Sequence, residues 1–278
     1  TQGGAVLGNE IEQKVLVPDI YSLFKIRSVT GVIARTNEGD PEQVIVVETT
    51  AAARPEALQK GLQVFLLPQK TDQEKEGEKT GERSEQWAAK EVDASVLQRA
   101  IQLPLKLVPA GKENALVHTF RISLEAEGQL YVAIGKGMEA QGGFILGEDY
   151  VQVLPVPVLP REILIQGNGG VLALNGERKL SIQSRAIKNI EYTVARVPAD
   201  QINHLVSQTR GEFQNPRFRS DYFDEENIAR IATEKQSINV ASKFKANYSA
   251  FDFSKHLQPA TDGGSPMQGL FFLKAREW

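Results

Sequence analysis

The chain has no cysteine among its 278 residues. That excludes disulfides, thiolate metal sites and a cysteine nucleophile. It has only two tryptophans and two methionines, and aromatic residues make up 7%. No apolar run approaches the roughly 20 residues needed to cross a bilayer as a helix. Neither sign of charge dominates: the formal net charge is −3 and the pI about 5.8, which argues against nucleic acid as a partner. The opening stretch TQGGAVLGNE has no initiator Met, no basic region and no long apolar core, and reads as the start of an excised or processed piece of a longer protein.

What is present is the composition of a globular protein, with 41% hydrophobic and 24% charged residues. The length suits two domains. Strand signatures dominate. Residues 20–35 (IYSLFKIRSVTGVIAR), 43–49 (QVIVVET) and 62–68 (LQVFLLP) are rich in β-branched and aromatic residues and are punctuated by Gly, Pro and Asn. LVHTFRISLE at 116–125 and GQLYVAIG at 128–135 read as a hairpin pair. SVLQRA at 95–100 reads as one helical turn before LPLKLVP resumes an extended course. Between these elements a polar insertion at 69–86 contains a stretch, 71–86, with no apolar residue, and is expected to be solvated.

Pro155, Pro157 and Pro160 cannot all donate to a sheet, so they mark an extended linker. The expected domains are 1–158 and 159–278. In the second, Asn175-Gly176 favours a tight hairpin turn. In NIEYTVARV, Ile190, Tyr192 and Val194 alternate with Asn189, Glu191 and Thr193. Pro198 opens a short helix over 199–209. SINVASKFKANYSAF, 237–251, reads as one long strand with Phe244, Tyr248 and Ala250 on its dry face and Lys243, Asn247 and Ser249 on its wet face. GLFFLKARE, 269–277, closes the sheet. The fold class is all-β: two tandem antiparallel β-sandwiches with a short helix.

Several stretches invite a chemical reading and lose it. GNGG at 167–170 follows an apolar strand, as a phosphate loop does, but a hairpin rather than a helix N-terminus comes next, and no Gly-Lys-Ser/Thr follows. GKGMEA at 135–140 is a degenerate dinucleotide fingerprint followed by more glycines, not by a helix. His118, His204 and His256 have no metal-ligand spacing. DYFDEEN, 221–227, lacks the central glycine and terminal glutamate of a calcium loop. FQNPRFRSDYF, 213–223, mixes arginine and aromatics as single-strand binders do, but the acids that follow cancel its charge. There is no GxSxG elbow. No catalytic, cofactor or metal residue is therefore assigned, no cofactor is expected, and the chain is not read as an enzyme.

Residues 159–278 carry an order of motifs that is similar to a known family: the hairpin around Asn175-Gly176, Ser184-Arg185, Arg196-Val197, HLVSQT, and FDFSKHL before GLFFLKAREW. Together they resemble an N-terminal macroglobulin-like domain of the bacterial alpha-2-macroglobulins. WAAKEVDASVLQRAIQLPLKLVPA resembles the preceding domain. The resemblance implies immunoglobulin-like sandwiches acting as frame in a modular protease trap. Its partners would be target proteases and neighbouring domains of the same chain. Its setting would be the periplasm, with a possible association with the inner membrane through the parent protein, and this piece would be a monomer. It also inclines towards the subgroup without a thioester. The rival class is a tandem sandwich module that binds carbohydrate or a cell surface, for which clustered exposed aromatics would speak.

Overall fold

The computed structural model describes residues 19–71, 74, 85–166, 177–197, 229–257 and 270–278, with 229–231 by backbone alone. Its regular structure is mostly antiparallel strand, and it divides into two compact units, Thr1–Leu159 and Pro160–Trp278.

In the first unit β1 (Ile26–Arg35) and β2 (Pro41–Ala53) form a hairpin. Its turn closes where Thr36 N–H donates to the Asp40 carbonyl at 2.9 Å, and Gly39 supplies a φ of 92°. β2 continues into α1 (Pro55–Gly61) and β3 (Leu62–Leu66). Further along come α2 (Ala94–Arg99), β4 (Ile101–Gln102), β5 (Lys106–Val108), β6 (Ala115–Ile122), β7 (Gln129–Ile134) and β8 (Tyr150–Pro155). They pair into two sheets, in the orders β1-β2-β6-β5 and β4-β3-β7-β8. Val29, Ile45, Val47 and Phe120 of the first sheet share one core with Val64, Val132 and Ile134 of the second. The burial of such side chains, at about 1.5–3 kcal/mol each, is what joins the layers.

The expected hairpin of residues 116–125 and 128–135 does not form, because β6 and β7 lie in different sheets. The chain crosses between layers over residues 123–128, and a buried glutamine fixes the crossing. Gln43 accepts the Leu124 amide on Oε1 at 3.0 Å and donates from Nε2 to the Pro157 carbonyl at 2.7 Å. One side chain thus ties β2, the crossover and the end of β8. The chain before β3 is α1. Its signals are the ordinary ones: Pro55 in the first turn with Glu56, and Lys60 in the last. Helix α2 falls where SVLQRA suggested; the Asp93 carboxylate accepts the amides of Ser95 (2.8 Å) and Val96 (3.0 Å) as its N-cap.

The insertion at 69–86 departs from expectation at its roots. Lys70 is 5% exposed. Its ammonium lies 2.9 Å from Glu91 and 5.2 Å from the Trp87 ring centroid. Trp87 donates from Nε1 to the Pro68 carbonyl at 2.7 Å and joins Leu67, Val96 and Tyr131 in a second, smaller core outside the β4-β3-β7-β8 sheet. β7 is therefore buried on both faces. The remainder of the insertion, 72–73 and 75–84, lies outside the described residues.

In the second unit β9 (Glu162–Ile165), β10 (Lys179–Arg185) and β13 (Ala246–Asp252) form one sheet in the order β13-β10-β9. β11 (Asn189–Arg196), β12 (Ala229–Ser237) and β14 (Phe271–Glu277) form another in the order β12-β11-β14. The alternation read in NIEYTVARV places Ile190, Tyr192 and Val194 inward against Ile182, Phe251 and Phe253. Glu191, on the other face, is also buried, because Arg276 donates to it from Nε at 2.6 Å. GLFFLKARE pairs with β11 along its length.

The single long strand over 237–251 is not there. β12 ends at Ser237, residues 238–245 cross between the two sheets, and β13 starts at Ala246. The crossing reverses the expected faces: Tyr248 is 70% exposed, while Phe251 is 3% exposed. Phe244 lies in the turn, half-buried, its carbonyl accepting from Arg185 Nη1 at 2.8 Å. The expected hairpin at Asn175-Gly176 and the helix over 199–209 lie outside the described residues.

Candidate functional site

An open cleft of about 890 Å³ lies in the first unit between α1 and the loop that follows β7. Arg54, Lys60 and Lys136 supply positive charge, Glu56 and Glu139 negative charge, and Ala57 and Met138 apolar surface. Arg54 is engaged by Glu113 at 2.9 Å. The loop is GKGMEA, the degenerate dinucleotide fingerprint of the sequence. Four of its six amides are spent inside the protein. Gly135 donates to the Gly61 carbonyl (3.1 Å), Lys136 to Asp149 (2.8 Å), Gly137 to Leu146 (2.8 Å), and Ala140 to Phe144 (2.8 Å). An anion site of backbone amides needs those donors to be free. The described lining residues carry charge of both signs and include no hydroxyl or imidazole.

The two described histidines, His118 and His256, belong to different units. His118 points inward from β6 within the first unit, 1% exposed, and burial pushes its pKa below the ordinary value against a smaller opposing effect of the Ala115 carbonyl. His256 belongs to the second unit, where Nε2 lies 3.0 Å from Glu234 and the ring stacks on Phe251. His204 lies outside the described residues, as do GNGG, DYFDEEN and FQNPRFRSDYF. Among the described residues no group of three or more His, Asp or Glu side chains is placed to hold a metal.

Among the described residues the exposed aromatics are scattered. In the second unit Tyr248 stands on β13 and Trp278 follows β14, in different sheets, and Lys235 covers the Trp278 ring at 3.9 Å. They do not make the joint platform that sugar binding needs. Residues missed from the sequence include Lys70 and Glu91, a buried pair separated by 21 positions, and the cleft-lining Lys60. Recognising α1 from its Pro55, Glu56 and Lys60 pattern would have placed the latter.

The fold defines a class: two units built mostly of antiparallel β-sheet. Sequence comparison gives the class a family. No protein-family model matches the chain. It is 30% identical over 267 residues to alpha-2-macroglobulin of Rickettsia conorii, covering 95% of this chain and 14% of that protein. To the alpha-2-macroglobulin homolog of Yersinia pestis it is 24% identical over 95% of its length, and to the Pasteurella multocida protein 27% over 97%. The chain's relatives are thus bacterial alpha-2-macroglobulins, of which it spans 13–14%. Among solved structures, a multi-domain structure of native alpha-2-macroglobulin from Escherichia coli aligns over 92% of this chain and 67% of its own, at 14% identity and a TM-score of 0.41. Salmonella alpha-2-macroglobulin reacted with methylamine aligns over 90% of this chain and 12% of its own, at 13% identity and 0.47.

Proposed function

We propose that this chain supplies frame and interaction domains of a bacterial alpha-2-macroglobulin-like protease trap, of the thioester-lacking subgroup. The carrying observation is similarity to alpha-2-macroglobulins from three bacteria over 95% or more of the chain. Support comes from the two strand-built cores. In this reading the domains are 1–158 and 159–278 and perform no catalysis. The parent is periplasmic, held at the inner membrane, and its partners are the proteases it captures. The fragment alone is a monomer whose contacts are to neighbouring domains of the parent.

Frame domains do not inhibit alone. The purified chain, titrated into a protease, is expected to leave cleavage of both protein and small peptide substrates unchanged. The parent protein is expected to abolish cleavage of the protein substrate while sparing the peptide. Stoichiometric inhibition by the isolated chain would overturn the frame role; a parent that spares both substrates would overturn the trap.

A further inference from the structure

Inside the second unit four polar groups share an otherwise apolar interior. β10 and β13 pair so that Ser184 faces Asn247 and Ile182 faces Ser249. Ser184, Asn247 and Ser249 share the inward face with Ile182 and Phe251, since their neighbour Tyr248 is exposed. From the opposite sheet comes Tyr192, 1% exposed, its ring 4.6 Å from Phe251. Its hydroxyl lies near enough to Ser249 for that side chain to oppose the rise in pKa that burial causes. Yet Ser184 Oγ, Asn247 Nδ2, Ser249 Oγ and Tyr192 Oη are all removed from solvent, and none completes a hydrogen bond of ordinary geometry with the protein.

Four orphaned groups on facing strands of one interior are too costly to be accidental. Each buried donor or acceptor left unpaired costs about 1–3 kcal/mol, and native interiors leave few of them. The β10 backbone offers them little, because β10 is paired with β13 on one side and with β9 on the other. Three of the groups are hydroxyls, which both donate and accept, and the fourth is an amide N–H donor. A water molecule needs two to four such partners, and it is the ligand whose size and valence suit them.

We propose that Ser184, Asn247, Ser249 and Tyr192 form an internal hydration site that holds one long-lived water between the two sheets of the second unit. The water accepts from Asn247 Nδ2 and a hydroxyl, and donates to the remaining hydroxyl oxygens. It completes the core at the place where polar residues interrupt it, and it joins β11 to β10 and β13.

The test is water-proton relaxation dispersion on the whole chain, which counts waters exchanging more slowly than the protein tumbles, with a high-resolution crystal structure alongside. The expected result is one such water lost in Asn247→Leu combined with Ser249→Ala, and density for it within hydrogen-bond distance of at least three of the four groups. Tyr192→Phe provides a second reading that keeps the ring. If the hydroxyl is bonded to water, its loss should lower the folding equilibrium constant about fivefold. If the hydroxyl is merely buried and unpaired, its loss should leave that constant unchanged or raise it. A crystal structure with the four groups bonded only to one another, or a Tyr192→Phe chain as stable as the parent, would overturn the proposal.

Discussion

Two side chains decide at the residue scale what the sequence left open. His118 looks like any strand residue in LVHTFRIS, and its parity with Phe120 and Ile122 is the only clue that it points inward. Burial keeps its folded pKa below the unfolded value of about 6.5. Above that pH both states are neutral there and His118 contributes no pH dependence. As pH falls through it, the unfolded chain takes up a proton that the folded chain refuses, so stability drops. The slope reaches at most about 1.4 kcal/mol per pH unit and ends once the folded pKa is passed. Urea melts followed by Trp87 fluorescence should lose stability between pH 7 and 5, and His118→Gln should lessen that loss. An identical pH slope in the variant would remove His118 as the cause. The second decision is at β13, where the faces are the reverse of those read from sequence. Phe251→Ala should cost about 3–5 kcal/mol, and Tyr248→Ala, at an exposed position, within about 0.5 kcal/mol. Denaturant midpoints would show the opposite order if the strand were shifted by one residue. That parity was illegible because Ile238, Val240 and Phe244 happen to continue the alternation through a turn.

At the scale of elements, strand existence was readable and strand partnership was not. β-branched runs between glycines and prolines mark β1, β2, β3 and β6 regardless of context. Whether β6 turns back on β7 or crosses to the other sheet depends on Gln43, some 80 positions away, and no local pattern carries that. The candidate cleft was half-legible for the same reason: its glycine loop stood out, whereas α1 opposite it was passed over. The strap between β3 and β4 shows how burial can contradict composition. Lys70 sits in a polar stretch yet is the buried cation of the small outer core, balanced by Glu91. Glu91→Gln leaves that ammonium uncompensated and should cost about 3–5 kcal/mol. Lys70→Met removes the charge along with the need for a partner, and should be near neutral or stabilising. The double change should then cost far less than Glu91→Gln alone. Equal losses from all three variants in chemical melts would show that packing of the strap, not charge, sets its stability.

The whole molecule raises the question of whether two units are two folding domains. The prolines at 155, 157 and 160 suggested a boundary, and the compact units meet between Leu159 and Pro160. Residues before the boundary are committed to the first unit: Val156 is 4% exposed, and the Pro157 carbonyl is bonded to Gln43. The core of the second unit is built from its own strands, between Ile163 and Ala275. Each unit carries one tryptophan, Trp87 in the first and Trp278 in the second, and the two differ in exposure at 7% and 54%. A chain with either tryptophan replaced by phenylalanine therefore reports on one unit at a time. If the units fold independently, Phe251→Ala should shift only the transition seen by Trp278, and Glu91→Gln only that seen by Trp87. Residues 160–278 expressed alone should then give dispersed amide resonances and a midpoint matching the Trp278 transition of the whole chain. Both mutations moving both signals together, or an isolated second unit with collapsed amide dispersion, would mean that the two cores fold as one cooperative body. Independent transitions are what the proposed frame role requires, because serially joined domains that move relative to one another must each keep their own shape.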